Sequence, residues 1–257
     1  MSLFQKLSRL FQPEEAVMKR ADLEAAWLEH TLELTDLRLS QVKGFRDFLL
    51  PAVSRTLSYF TRTFAQVPGP VSLEKRTPQL EALFPGGKAD KRAALGRSLA
   101  VKQEFPALAA AGHERLVALM GMRLRRQGNA TQLADHTIRS LAVSSEAVRA
   151  QLMTAAYDSL LQAFDNAQRR AEDPDARAPA DYLDDLLAWL KKPESCVRMA
   201  EDQSHTITGH GGAPDLCLPL MHSQDRREWL LTLVDFPTQM AEDALKAEEY
   251  THRFILI

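Results

Sequence analysis

Apolar side chains recur at helical spacing from Leu23 to Phe64, which limits the first quarter of this 257-residue chain to amphipathic helix. Pro51 falls within the repeat. Because a proline there removes a backbone hydrogen bond and crowds the preceding turn, we expect a kink or a restart near Leu50. The sequence therefore predicts one long, kinked helix over residues 14–66, which ends at the Val-Pro-Gly-Pro stretch 67–70.

Helical spacing continues through the middle of the chain. It predicts helices over residues 77–84, 88–102, 105–126 and 181–192, and another that Ser144 or Ser145 caps and that runs to about Phe164. The charged, proline-bearing stretch 169–180 is the best candidate for a linker. We therefore expect residues 13–193 to form a helical body.

Residues 194–257 differ in character, because short β-prone runs replace the helical repeat. The runs are "HTITG", "DLCLPLM" and "EWLLTLVDF", separated by turn-like stretches. Neither face of residues 229–234 is polar, which predicts a central strand covered on both sides. A helix over 238–250 and a strand over 252–257 follow. The expected fold is thus mainly α, with a small C-terminal α+β module of short antiparallel strands.

Several short segments recur in the same order in a known group of proteins. They are "LLPAVSRTL", "LEALF", "ALMGMRLRR", "DHTIRSLA" and "WLLTLVDFPTQM". In these segments the chain resembles a group of helical proteobacterial proteins with no established activity. The resemblance implies a bacterial origin and supports the order of the zones, but it assigns no role to any residue.

Charge and cysteine content exclude several classes of protein. Lys and Arg number 32 against 34 Asp and Glu, so the net charge of −2 argues against a dedicated nucleic-acid-binding protein. Two cysteines cannot form a disulfide framework, which favours a reducing compartment. The sequence holds neither a membrane-spanning stretch nor a secretory signal pattern, so we expect a cytoplasmic protein.

The first twelve residues predict a separate amphipathic helix. Its apolar side chains fall within an arc of roughly 120°, and its polar side is positive; the residues concerned are Leu3, Phe4, Leu7, Leu10 and Phe11, with Lys6 and Arg9. This pattern is typical of a helix that lies on an anionic membrane surface. The alternatives are that it docks on the core of this protein or in the groove of a partner protein.

A run of metal-binding residue types lies near the C-terminus: His205, His210, Cys217 and His222. Imidazole and thiolate are suitable zinc ligands, but the spacing matches no known zinc motif. The alternative is a hairpin in which Cys217 is a small buried apolar residue among leucines.

Basic residues suggest a third hypothesis. Three arginines lie between Arg123 and Arg126, and the sequence upstream adds Lys88, Lys91, Arg92 and Arg97. These residues could form a basic patch for nucleic acid, but no aromatic residue is interleaved with them for base stacking. We therefore regard nucleic acid as the least favoured partner.

No intact catalytic or cofactor motif is present. We therefore expect a non-enzymatic bacterial accessory or scaffold protein without a cofactor. It would act through helix-mediated contacts with another protein or with a second copy, at the cytoplasmic membrane surface if residues 1–12 bind lipid. A metal-binding protein or metal-dependent enzyme that uses the C-terminal histidines is the main alternative, and a nucleic-acid-associated protein is the second.

Overall fold

A computed structural model describes residues 20–35, 37–127, 130–170, 178–209, 215–224 and 227–254. Among these residues, the chain forms two compact units. Unit 1 comprises residues up to Phe64 together with Gln151–Arg198, and unit 2 comprises Ala65–Ala150 together with Met199 onward. Each unit is therefore built from two stretches that are distant in sequence.

The regular elements follow one another in this order: α1 (Arg20–Leu34), a 3₁₀ helix (Leu37–Gln41), α2 (Phe45–Ala65), β1 (Val71–Ser72), α3 (Pro78–Leu83), α4 (Lys88–Gly96), α5 (Leu99–Ala110), β2 (Arg115–Gln127), β3 (Ala130–Ala142), α6 (Ser145–Arg169), α7 (Pro179–Leu190), a second 3₁₀ helix (Pro193–Ser195), β4 (Val197–Ile207), β5 (Leu216–Ser223), β6 (Glu228–Pro237) and α8 (Thr238–Phe254).

The core of unit 1 is aromatic. Trp27 of α1 stacks on Tyr157 of α6, with ring centroids 4.2 Å apart and planes 13° from parallel. Phe60 of α2 meets the same tryptophan edge-on at 6.3 Å. All three side chains are fully buried, so they hold α1, α2 and α6 together through large apolar surfaces.

The predicted helix over residues 14–66 is two helices in the described part. The chain leaves the α-helix after Leu34 and enters α2 at Phe45, and Gly44 just before α2 has a positive φ of 74°. Pro51, by contrast, lies inside α2 without ending it. Of the two outcomes expected near Leu50, the restart is wrong, because α2 begins at Phe45 and continues through Pro51.

Unit 2 is built on a six-stranded sheet. Its strand order is β3-β2-β6-β5-β4, and β1 pairs in parallel with the end of β6. The pairs β2–β3, β2–β6 and β5–β6 are antiparallel. The predicted central strand is confirmed, since residues 230–234 are all buried at the middle of the sheet.

One face of the sheet carries the main core of unit 2. Alternate residues of β2, namely Leu116, Ala118, Met120 and Met122, point into it and are fully buried. Helices α3, α4, α5 and α8 contribute the opposing apolar side chains, among them Leu80, Leu95 and Phe105. Strands that precede and follow the Gln151–Arg198 stretch of unit 1 in sequence therefore share a single core.

The expected fold class, mainly α with a small C-terminal α+β module, is wrong. Strands run from residue 71 onward, and β2 replaces the later part of the helix expected over 105–126, of which only residues 105–110 are helical, in α5. Leu116, Leu119 and Met120 fit helical spacing, but residues 116–122 are buried on both faces of a strand. Residues 115–122 form a strand because they pair with β6, where Leu119 lies opposite Leu233. The local spacing of apolar residues carries no information about a partner strand a hundred residues away.

Other predictions agree with the structure. The hydroxyl of Ser144 accepts a hydrogen bond from the Ala147 amide and caps α6 as expected. The helix predicted over 181–192, the three C-terminal β-prone runs and the helix from 238 are also present. The strand expected at 252–257 is wrong for His252–Phe254, which continue α8. The helix over residues 1–12 and most of the candidate linker lie outside the described residues.

None of the described helices is both long enough and apolar enough to cross a lipid bilayer.

Candidate functional site

Four cationic side chains line a cavity of about 830 Å³ in unit 2. They are Arg76, Lys88, Lys91 and Arg92, and we refer to this place as the cationic cavity. Its walls come from the loop after β1, from α3 and α4, and from the first turns of α8.

A tight turn between α3 and α4 places three of these cations. Thr77 caps α3 by accepting a hydrogen bond from the Leu80 amide, and Asp90 accepts one from the Gly86 amide. Gly87 has a positive φ of 61° and starts α4. Because positions i, i+3 and i+4 share one face of a helix, Lys88, Lys91 and Arg92 all face the cavity.

Lys91 is the cation most strongly affected by its surroundings. Its Nζ donates a hydrogen bond of 2.9 Å to the carbonyl oxygen of Leu73. Partial burial lowers the pKa of Lys91, the nearby Arg76 guanidinium lowers it further, and Glu81 opposes them with a smaller effect. Positive charges are thus held close together at an energetic cost, which an anionic group in the cavity would relieve.

Three carboxylates also line the cationic cavity, and two of them have partners. Glu74 accepts a hydrogen bond of 2.6 Å from Arg115, and Asp243 accepts one of 2.9 Å from Gln239. Within the described part of the chain, Arg76, Lys88 and Arg92 form no ion pair. The local balance around the cavity therefore favours an anion.

The floor of the cationic cavity is apolar. Leu80 of α3 and Phe84, which directly follows α3, are buried there, and Met240 of α8 is partly buried. A cationic rim above an apolar floor suits a ligand that carries negative charge on an apolar body.

The candidate metal ligands lie on the opposite half of the sheet. His205 of β4 lines a second cavity of about 770 Å³, the sheet-end cavity, together with Arg123 and Arg227. On β5, His222 Nδ1 lies 3.4 Å from a carboxylate oxygen of Glu228. His210 lies outside the described residues, and within them no three histidine, cysteine or acidic side chains form a group that could hold a metal ion.

The prediction that Cys217 is buried among leucines is wrong. Leu216 and Leu218 point into the core of unit 2, while Cys217 between them is exposed. The strand alternates its side chains between two faces, so a residue flanked by buried leucines necessarily faces away from them.

The proposed membrane or partner contact lies outside the described residues; it consists of Leu3, Phe4, Lys6, Leu7, Arg9, Leu10 and Phe11.

The basic residues that the sequence suggested as one patch lie at two separate places in the structure. Lys88, Lys91 and Arg92 lie in the cationic cavity, whereas Arg123 lies on β2 at the sheet-end cavity. Arg76 carried no signal in the sequence, because only the turn after β1 brings it to α4.

The likeness to the proteobacterial group rests on short segments alone. Of these, "ALMGMRLRR" forms β2 and "WLLTLVDFPTQM" forms β6 with the first turn of α8, so the likeness falls partly on the central strands. The resemblance to this group therefore remains an expectation from the sequence. Comparison with known protein families, with curated proteins and with solved structures gave no match.

Proposed function

We propose that this chain is a non-enzymatic accessory protein that holds a partner protein through helices α3, α4 and α8 of unit 2. The cationic cavity carries this proposal, because four cations surround a concave apolar floor. The partner chemistry that fits is an acidic amphipathic segment, whose carboxylates would meet the rim while its apolar side chains cover Leu80, Phe84 and Met240.

The distribution of charge along the chain supports an acidic partner. Residues 65–150 hold 13 lysines and arginines against 7 aspartates and glutamates, although the whole chain has a net charge of −2. A cationic surface of this kind accelerates encounter with an acidic partner and weakens its complex as salt is added.

We also propose a cytoplasmic location, with residues 1–12 as a second contact at the inner face of the membrane. Five apolar side chains in a stretch whose sequence predicts a positively charged helix support this contact. Their burial yields a gross gain of about 10 kcal/mol at most, while ordering the backbone costs about 1–2 kcal/mol for each residue. A lone helix therefore binds weakly, and a partner held in the cationic cavity would supply the second attachment.

Charge reversal in the cavity tests the partner contact. The probe is a fluorescein-labelled synthetic helix with glutamates on one face and leucines on the other, followed by fluorescence anisotropy. We expect the double variant Arg76→Glu/Arg92→Glu to bind it at least tenfold more weakly than the wild type, because two attractive charges become repulsive. The same variant should lose partners that the wild type captures from its host.

A matched control keeps the total charge change constant. Arg97→Glu/Lys102→Glu alters two exposed cations of the same basic stretch outside the cavity, and it should bind the probe within about twofold of the wild type. Equal weakening in both double variants would show that only net charge matters, and that result would overturn a cavity-specific contact.

Co-sedimentation with vesicles tests the membrane contact separately. The full chain and a chain that lacks residues 1–12 are mixed with vesicles of anionic or neutral lipid. The proposal requires weak, salt-sensitive binding of the full chain to anionic vesicles and its loss on deletion. Equal sedimentation of both chains would remove residues 1–12 as a membrane contact and leave the cavity proposal intact.

A further inference from the structure

We propose that unit 2 also binds single-stranded nucleic acid, at a site where Trp229 of β6 is contacted by Arg123 of β2 and Arg139 of β3. The guanidinium carbons of Arg123 and Arg139 lie 4.5 Å and 4.8 Å from the centroid of the indole ring. We refer to these three residues as the arginine–tryptophan site. It involves none of the cationic-cavity residues.

Gly121 allows the indole to lie close to the sheet. A Cβ placed on this glycine would lie 3.2 Å from Cε3 of Trp229, tighter than nine in ten real Cβ contacts. The glycine interrupts an otherwise apolar run, "LVALMGM", at the position where the ring crosses it. A glycine inside a strand often marks such a close approach.

A bulge in β3 supplies the second arginine. Ile138 pairs with Met120 and Ser140 with Leu119, so Arg139 is an extra residue between two consecutive partners on β2. Bulges redirect a side chain from the ordinary alternation of a strand. Arg139 at this bulge reaches an aromatic ring about ninety residues further along the chain.

The site is accessible and positively charged. Arg123 and Arg139 are exposed and Trp229 is partly buried. Among the described residues Arg123 forms no ion pair. In contrast, the neighbouring Arg125 contacts both carboxylate oxygens of Asp135, at 3.0 Å and 3.3 Å. Arg123 therefore keeps charge to offer a ligand.

Two guanidinium groups beside an indole, on the surface of a sheet, suit the bases and phosphates of single-stranded nucleic acid. Guanidinium and indole planes both stack on bases, and the arginines attract phosphate. Arg123 also lines the sheet-end cavity, which holds Arg227 and His205 and gives room for an adjacent phosphodiester. In the sequence, no aromatic residue is interleaved with these arginines. In the structure, strand pairing brings Trp229 next to them.

Binding of a fluorescein-labelled 12-nucleotide oligouridylate at 50 mM salt, measured by anisotropy, tests this inference on the full chain. Trp229→Leu retains apolar cover but loses stacking, and we expect about tenfold weaker binding. Arg123→Lys/Arg139→Lys retains the charge and changes only exposed side chains. We expect it to lose about fivefold in affinity while the slope of log affinity against log salt stays unchanged.

The control variant is Arg125→Lys, which makes the same charge-retaining exchange at an arginine of the same hairpin that is paired with Asp135, and it should bind within twofold of the wild type. An abasic oligomer of the same length should bind at least tenfold more weakly than oligouridylate, because it offers no base to stack. Three results would each overturn the site: no binding of oligouridylate by the wild type, unchanged affinity in the lysine double variant, or equal binding of polyglutamate, which would indicate a general anion surface.

Discussion

At the scale of single residues, a buried threonine links two aromatic side chains in unit 1. The Thr31 hydroxyl oxygen lies 2.7 Å from the Trp27 carbonyl and 2.5 Å from the Tyr157 hydroxyl. Its one hydrogen is donated to the carbonyl, so Tyr157 donates to Thr31. Burial raises the pKa of Tyr157 far above its usual value, and the phenol therefore remains a donor at any ordinary pH.

Thr31→Val should lower the free energy of unfolding of unit 1 by about 1–3 kcal/mol, because it leaves the buried Tyr157 hydroxyl without an acceptor. Urea denaturation followed by tryptophan fluorescence measures this loss. Tyr157→Phe in the Thr31→Val background should recover part of the stability, since it removes the stranded hydroxyl. A loss in the double variant equal to the sum of the two single losses would contradict the direct bond.

The two cysteines should differ sharply in reactivity. Burial raises the pKa of the Cys196 thiol to about 11, and the thiol contacts the Ala156 carbonyl at 3.4 Å, whereas Cys217 is exposed. At pH 8 a disulfide reagent such as dithionitrobenzoate should titrate one thiol quickly, and the second only in denaturant. Cys217→Ser should abolish the fast phase. Two fast thiols in the wild type would show that Cys196 is accessible.

The same thiol should make unit 1 sensitive to alkaline pH. The folded pKa of about 11 exceeds the ordinary thiol value of 9.0. The stabilising effect of the neutral thiol is therefore complete below about pH 9 and is lost as the pH rises towards 11. Urea denaturation should show a steeper loss of stability across this range in the wild type than in Cys196→Ala. Equal slopes would exclude a contribution from Cys196.

At the scale of elements, β6 organises unit 2 because both of its edges are paired. One edge pairs with β2 over residues 230–237. The other edge first pairs with β5 over residues 228–230. Further along this edge, the Leu233 amide donates a hydrogen bond of 2.8 Å to the Pro68 carbonyl oxygen. The last part of the edge pairs with β1. Its hydrogen bonds thus join three distant stretches of the chain.

Gly69 allows the chain to approach β6 this closely. A Cβ there would lie 2.5 Å from the Leu233 carbonyl oxygen, and φ is 107°. Gly69→Ala should therefore destabilise unit 2 both by strain and by a clash. Gly112→Ala is the matched control, because φ is 79° and nothing lies within 4 Å of its Cβ. We expect the control to lose about 1 kcal/mol, and Gly69→Ala to lose about 1–3 kcal/mol more. Thermal unfolding of both variants measures the difference, and equal losses would exclude the clash.

At the scale of the whole molecule, each unit needs two separate stretches of chain. In unit 2 the core combines β2 and β3 with β5, β6 and α8. The C-terminal stretch supplies Leu218, Val234 and Phe236, which pack against residues of the 65–150 stretch. Neither stretch has enough partners of its own to cover these side chains.

The fragment 194–257 should consequently fail to fold by itself. Its central strand β6 would lose β2 and expose large apolar side chains, so we expect a poorly dispersed ¹H–¹⁵N spectrum and aggregation. As a comparison, residues 65–150 joined to 199–257 by a flexible linker contain the whole core of unit 2 and should give a dispersed spectrum. A well-dispersed spectrum of 194–257 alone would contradict the shared core.

Local sequence signals predicted the features that can be read within a few residues of the chain. Ser144 caps α6, and the β-prone run 229–234 is a buried central strand. These outcomes follow from capping chemistry and from apolar runs, which act over a few residues.

Tertiary pairing decided the remainder of the fold and both proposed sites. Residues 115–127 suit either a helix or a strand, and only the partner β6 selects the strand. Arg76 lies close enough to Lys91 to lower its pKa, and Trp229 contacts Arg123 from about a hundred residues further along the chain. Periodicity reports which faces of an element are apolar, whereas the choice of partner depends on burying those faces against surfaces that only the folded chain provides.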